Sequence, residues 1–310
     1  MVTTKSQPGL NNYHSSKIKM TVGDKVFNSI AISATTLIFL VAIIPLIHII
    51  SSSFSSPGAV AGGRVFLLPV ELSIEGYKAV FSNNMIGIGY LNTIFYTAAG
   101  TGINIVLTMI TAYALSCPNL PFKKIIMLMF TFTMLFEAGM IPNYMLLRDL
   151  KMLDTRWAML IPGAIGTYNM IITRTFITTS IPQELREAAE IDGCSDIKYL
   201  IHVIVPLSKP VIAVITLYYA VAHWNSYFDG FLYLTNRNLY PLQVILRDIL
   251  YSNTIDQSAV MDPILMAAKQ GMVNLLKHSL IVVASVPVMC IYPFIQKHFV
   301  QGVMIGSIKG

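Results

Sequence analysis

Charge is what this 310-residue chain has least of: 12% of its residues are Asp, Glu, Lys or Arg, against about 25% in an ordinary soluble domain. Hydrophobic residues make up 55%, and the mean hydropathy is +0.64. So little charge cannot wet a globule of 34.3 kDa on all sides, which excludes a water-soluble domain and leaves lipid as the solvent. Cysteine is scarce too. Cys117, Cys194 and Cys290 lie far apart with no CxxC pair, so no disulfide framework or zinc site is indicated. The six histidines form no HExxH or close metal spacing. A GxxxxGK[ST] phosphate loop is missing, so the chain cannot itself cradle and hydrolyse a nucleotide. No paired carboxylates or Ser and His constellation suggest an enzyme. The net charge of +6 would suggest nucleic acid in a soluble chain, but in a membrane chain it reflects loops facing anionic lipid, with no nucleic-acid partner.

A spanning helix needs about 20 apolar residues, and six windows of that kind predict an all-α polytopic membrane protein. They are Phe27–Ile50, Ile88–Ser116, Ile125–Leu147, Trp157–Ile177, Pro210–Leu234 and His278–Val300. Residues 1–26 form a polar arm without a signal-peptide layout, so the first span is expected to stay as an anchor. Residues 27–310 form one six-span domain. With the arm inside, Lys5, Lys17, Lys19, Lys25, Lys123, Lys124, Arg174, Arg186, Lys198, Lys209, Lys297 and Lys309 face the cytoplasm, 12 of the 21 cations. Both termini are therefore expected inside. Ser51–Ile86 and Thr235–Lys277 are expected as external loops, the first with some short structure.

One cytoplasmic segment stands apart, residues 180–210, which reads SIPQELREAAEIDGCSDIKYLIHVIVPLSKP from Ser180. Ser180 and Gln183 have capping-box spacing, and Pro182 fits a first turn. Gly193 is a natural left-handed stop, and a second helix over Ser195–Ile204 would end before Pro206. Leu185, Ala188, Ala189 and Asp192 share one face of the first helix, and Glu184, Glu187 and Ile191 the adjacent one. Two readings fit: a unit docked in a groove of another protein, or an amphipathic connector on the bilayer.

Glu187-Ala188-Ala189, Gly193 after three further positions, and Val203-Ile204-Val205-Pro206 after nine resemble the EAA motif of ABC importer permeases, with Val203 and Val205 in place of the usual Ile and Leu. Thr111–Ser116, Leu120-Pro121-Phe122, Ile141–Tyr144, Trp224-Asn225 and Gly302–Gly310 are similar to the maltose-permease-like carbohydrate uptake family, most of all its LplC-like polysaccharide and oligosaccharide branch. The resemblance implies a type I ABC importer permease fold in a bacterial inner membrane. It also implies a second permease subunit as heterodimer partner, two ATPase subunits that bind ATP and Mg, and an extracytoplasmic binding protein delivering an oligosaccharide. Glu184, Glu187, Ala188, Ala189, Asp192 and Gly193 would couple to the ATPase. This chain would hold no cofactor and no catalytic residue. A permease for a non-sugar solute is the alternative. An ion-coupled secondary transporter predicts midmembrane charges and an inverted repeat, and neither is found.

For the solute path, Tyr218, Ala222, Asn225 and Asp229 fall at helical spacing in the fifth span, with Trp224, Ser226 and Tyr227 alongside. Polar groups in hydrocarbon are costly unless they face protein or water. Tyr218, Trp224, Asn225, Tyr227 and Asp229 are thus candidate cavity lining, with packing against a neighbouring helix as the alternative. In the second span Thr97, Thr101, Asn104, Thr108 and Thr111 read as a helix-packing seam. Pro162, Gly163, Gly166, Pro287 and Pro293 should kink or loosen their helices. Glu137 and Arg174 should sit near span ends, in reach of headgroups or water.

Overall fold

The computed structural model describes residues 21–255 and 270–290, and every described element is helical or irregular. The chain divides into two compact units, residues 1–48 and 49–310, with the boundary inside the first helix, α1 (Val22–Ser53). At 32 residues α1 is roughly 48 Å long, more than the bilayer's hydrocarbon core. Phe27, Leu37, Ile38, Phe39 and Val41 are all exposed along it, as a lipid-facing surface requires.

From Ile49 onward the chain is built around one helix. After the short α2 (Pro57–Ala61) and α3 (Glu75–Phe81) comes α4 (Asn84–Ser116). Asn83 caps it, its side-chain oxygen accepting from Met85 N at 3.0 Å. Then follow α5 (Lys123–Leu135), α6 (Met140–Asp149), α7 (Trp157–Leu160), α8 (Thr167–Ser180), α9 (Gln183–Ile191) and α10 (Asp196–Leu207). The last four are α11 (Lys209–Trp224), α12 (Tyr227–Tyr233), α13 (Leu242–Ile255) and α14 (Gln270–Cys290). The helices α8, α11 and α13 all pack on α4.

The α4 seam works by hydrogen bonding and close approach. Asn104 Nδ2 donates to Gly163 O at 3.1 Å, and Asn104 Oδ1 meets His223 Nε2 at 3.0 Å. Thr108 Oγ1 and Tyr219 OH lie 2.7 Å apart, and the same Tyr219 oxygen accepts from Gly166 N at 3.0 Å. Nearer its start, Asn92 Nδ2 donates to Asn238 O (2.7 Å) and Tyr240 O (3.1 Å), and Thr93 Oγ1 accepts from Leu242 N at 2.8 Å. The packing reading of this seam holds for Asn104 and Thr108. Gly100 is the contact point with α11, since any side chain there would overlap the His223 ring.

Several expected spans are interrupted. Ile125–Leu147 is two helices, α5 and α6, meeting at 116° across a break that contains Glu137 and Gly139, the latter at φ +86°. Trp157–Ile177 is α7 and α8, separated by a turn with Gly163 at φ +71°. Thus Pro162, Gly163 and Gly166 do break the helix. Pro210–Leu234 stops at Trp224 and restarts at Tyr227, and α10 and α11 meet at 83°. Among the described residues three helices are long and apolar enough to cross a membrane, or five spans if each bent pair counts once. The sixth expected span is already helical at Gln270, and its residues 291–300 lie outside the described residues, as do Pro293 and residues 1–20.

One further expectation changes. Thr235–Lys277 is not simply an external loop: α13 buries Leu242, Ile245 and Leu246 in one core with Trp224 and Leu280. Its apolar residues cover only one side of a 14-residue helix, so no long apolar window reveals it. Arg174, partly exposed, also bonds within the chain: its Nε donates to Leu115 O at 2.9 Å, satisfying a carbonyl in the last turn of α4. Ser51–Ile86 does contain short structure, with Ser55 Oγ accepting from Val70 N at 3.0 Å.

The α4–α11 crossing gives a direct test. Gly100→Ala drives a methyl group into the His223 ring and should cost about 1–3 kcal/mol through overpacking. Gly102→Ala meets nothing within 4 Å and should hold or raise stability, since alanine is the better helix former. Thermal unfolding of the detergent-purified protein reads both; equal shifts would refute the close-approach account.

Candidate functional site: a helical elbow and a membrane cavity

The elbow is α9 and α10. Pro182 occupies the N-cap of α9 with ψ 139°, and no side chain caps it. Ser180 instead ends α8, so the expected capping box does not form. Gln183 turns along the helix, its Nε2 donating to Glu187 Oε1 at 3.1 Å. The carboxyl end closes on its own backbone. Gly193 N donates to Glu190 O at 3.1 Å and Cys194 N to Ala189 O at 2.9 Å, the paired bonds of a Schellman motif, with Gly193 at φ +68°. A Cβ at Gly193 would meet nothing within 4 Å, so the demand there is purely conformational.

The second arm passes through Pro206 where the expected helix stops short of it. The chain widens into a π-helical turn over Leu200–Ile204 and continues to Leu207. A proline has no N–H and its ring crowds the carbonyl four residues back, and a wider turn relieves both.

Arg186 ties the two arms of the elbow together, and Tyr113 ties the elbow to the bundle. Arg186 Nε contacts Glu190 Oε1 at 2.8 Å and its Nη2 lies 3.5 Å from Asp196 Oδ1, across the turn. Tyr113 OH, on α4, donates to that same Asp196 oxygen at 2.8 Å. The Glu190 carboxylate holds the Arg186 guanidinium above its ordinary range, partly offset by burial. Arg186 is 20% exposed, where Glu190 and Asp196 are 60% and 74% exposed. Surface pairs contribute little, and here only the half-sheltered cation gives the network its hold.

These contacts sort the faces of α9 differently from the expected pairing. Ala189 turns inward onto the core containing Ile177, Tyr199 and Ile204. Glu184, Glu187, Ala188, Asp192 and Gly193 are exposed, beside Ile191 at 87%. The two alanines thus do different work: Ala189 packs the chain's own core, and Ala188 belongs to the carboxylate-bearing outer face.

The second feature is a cavity of about 740 Å³ among α11, α13 and α14, within the range of about 300–1,000 Å³ usual for ligand sites. Trp224, Asn225 and Tyr227 line it; Tyr218 and Asp229 do not. The break at Asn225–Ser226 explains the split, because Tyr218 and Asp229 no longer share one continuous helix. Ser226 Oγ and Asn225 Nδ2 donate back to His223 O (2.7 Å) and Val221 O (2.9 Å). Trp224 is buried, its Nε1 donating to Ala284 O at 3.1 Å and joining α11 to α14.

Sequence periodicity missed the cavity's other polar wall. Gln243, Arg247 and Tyr251 come from α13 and Ser285 from α14. Gln243, Arg247 and Tyr251 recur at i, i+4 and i+8, a signal hidden by reading this stretch as a loop.

Two substitutions test the elbow. Gly193→Ala forces a left-handed alanine, a local cost of about 1–2 kcal/mol, and Arg186→Gln removes the cross-turn cation. Each should speed amide hydrogen exchange over residues 183–207 while leaving α4 protected. Unchanged exchange in the elbow would show that neither residue holds it.

Residues 80–305 match the family described as binding-protein-dependent transport system inner membrane component. The chain is 36% identical over 287 residues to the polygalacturonan/rhamnogalacturonan transport system permease protein YtcP of Bacillus subtilis, covering 93% of this chain and 99% of that one. It is 37% identical over 276 residues to Protein LplC of the same organism, covering 87% and 90%. A solved chain of a bacterial ABC transporter involved in the import of the acidic polysaccharide alginate superposes with a TM-score of 0.80 at 35% identity, covering 90% of this chain and 99% of that chain. This chain therefore belongs to the binding-protein-dependent transport system inner membrane components, with the all-helical type I ABC permease fold.

Proposed function

We propose that this chain is one of two permease subunits of an ATP-driven importer in a bacterial inner membrane, forming half of the path for an oligosaccharide. The carrying observation is the elbow: a short helix closed by a Schellman turn, tied to α4 through Arg186, Asp196 and Tyr113, and presenting carboxylates outward. A partner's motion moves a membrane helix only through a firmly attached lever, and this connection supplies one. Glu184, Glu187, Ala188, Asp192 and Gly193 form the docking face, and Ala189 seats it from within. The ATPase subunits hold ATP and Mg and perform the hydrolysis; this chain contributes no catalytic group. An extracytoplasmic binding protein delivers the sugar from the opposite side, and in this reading both termini and the elbow lie in the cytoplasm. The sugar assignment draws support from the relatives, whose names specify polygalacturonan, rhamnogalacturonan and alginate transport.

Glu187→Arg reverses charge on an exposed position without touching the core. It should lower both co-purification of the ATPase subunits and ATP-dependent uptake by about tenfold or more, as loss of an interfacial charge pair predicts. Full uptake with Glu187→Arg, or uptake by this chain reconstituted alone, would refute the coupling role. Orientation has its own readout: Ile191→Cys should react with a membrane-impermeant thiol reagent in inverted vesicles and not in intact cells.

A further inference from the structure

Arg247 occupies an unusual place for a cation. It stands on α13 at the wall of the cavity, beside the aromatic rings of Phe231 at 4.3 Å, Tyr251 at 4.5 Å and Tyr227 at 5.8 Å. Tyr227 and Phe231 are stacked on each other at 5.9 Å on α12. They reach Arg247 because Gly230 lets α12 lie directly on Pro241 and Val244, where a Cβ would overlap both. The guanidinium is thus held by two rings of α12 and by Tyr251, one turn further along its own helix.

Rings engage a guanidinium by its face and leave the donors at its edge for a planar partner. No carboxylate among the described residues lies within ion-pair distance of Arg247. Its neighbour Asp248 lines a separate cleft with Asn83 and Arg237. A cation held without a counter-charge on a cavity wall shared with the candidate membrane-crossing helices α11 and α14 is costly unless it serves a polar solute. The rest of the polar lining, Asn225, Gln243 and Ser285, is neutral and suited to hydroxyl groups.

We propose that Arg247 pairs with the carboxylate of an acidic saccharide, a uronate-containing oligomer, as it passes through this cavity. The guanidinium takes the carboxylate two-pronged, the neutral groups meet sugar hydroxyls, and the exposed aromatic surface meets the apolar face of the sugar ring. This selectivity rests on the saccharide-import reading above and sharpens it from sugar to anionic sugar.

The test is uptake of radiolabelled tri-galacturonate and of galactotriose by proteoliposomes carrying the whole transporter with its binding protein. The wild type should favour tri-galacturonate. Arg247→Gln should lower the ratio of tri-galacturonate to galactotriose uptake by about tenfold or more, as loss of a charged hydrogen-bond partner predicts, and Arg247→Lys should recover part of that ratio. An unchanged ratio in Arg247→Gln, including an equal loss of both sugars, would make Arg247 a packing residue and overturn the proposal. A wild type that moves galactotriose and not tri-galacturonate overturns the proposal and leaves saccharide import standing. Movement of neither sugar overturns both.

Discussion

Every polar group carried into hydrocarbon must find its partner inside the protein, and the architecture follows from how α4 meets that demand. Asn92, Thr93, Asn104 and Thr108 recur along α4, and each bonds another segment: the stretch leading into α13, the turn before α8, or α11. No hydrophobic force favours helix association within lipid, because lipid tails are as apolar as leucine. Hydrogen bonds and close approach at Gly100 therefore fix which helices meet and at what height.

The same constraint makes broken helices tolerable. At the α7–α8 and α11–α12 breaks, nearby side chains collect the freed backbone groups. Tyr219 accepts the Gly166 N–H, Asn104 donates to the Gly163 carbonyl, and Ser226 donates to the His223 carbonyl. The breaks in turn place chemistry where straight helices could not. The interruption at Asn225 separates the cavity wall from the rest of α11, and Gly193 folds α9 back against α10. Rigidity at the elbow and openness at the cavity thus come from one economy of satisfied backbone.

Much of this was legible beforehand. The lipid solvent, the strongest apolar helices, the left-handed turn at Gly193 and the EAA spacing all rest on local properties, which need no knowledge of neighbours. The elbow's inner and outer faces were not legible, because Ala188 and Ala189 are chemically identical and only the surrounding core tells them apart. Likewise α13 carries no clear helical signal: it is short, and its apolar residues are interleaved with Gln243, Arg247 and Asp248.

By itself the sequence determined what must be buried in lipid, where the chain can turn left-handed, and which motif it carries, since hydropathy, backbone freedom and spacing are properties of the chain. Tertiary structure decided where helices break, which alanine faces outward, and that Arg247 joins Trp224, Asn225 and Tyr227 around one cavity. Those outcomes depend on contacts between residues far apart in the chain, and a break of two residues at Asn225 and Ser226 divides one apolar window into two helices.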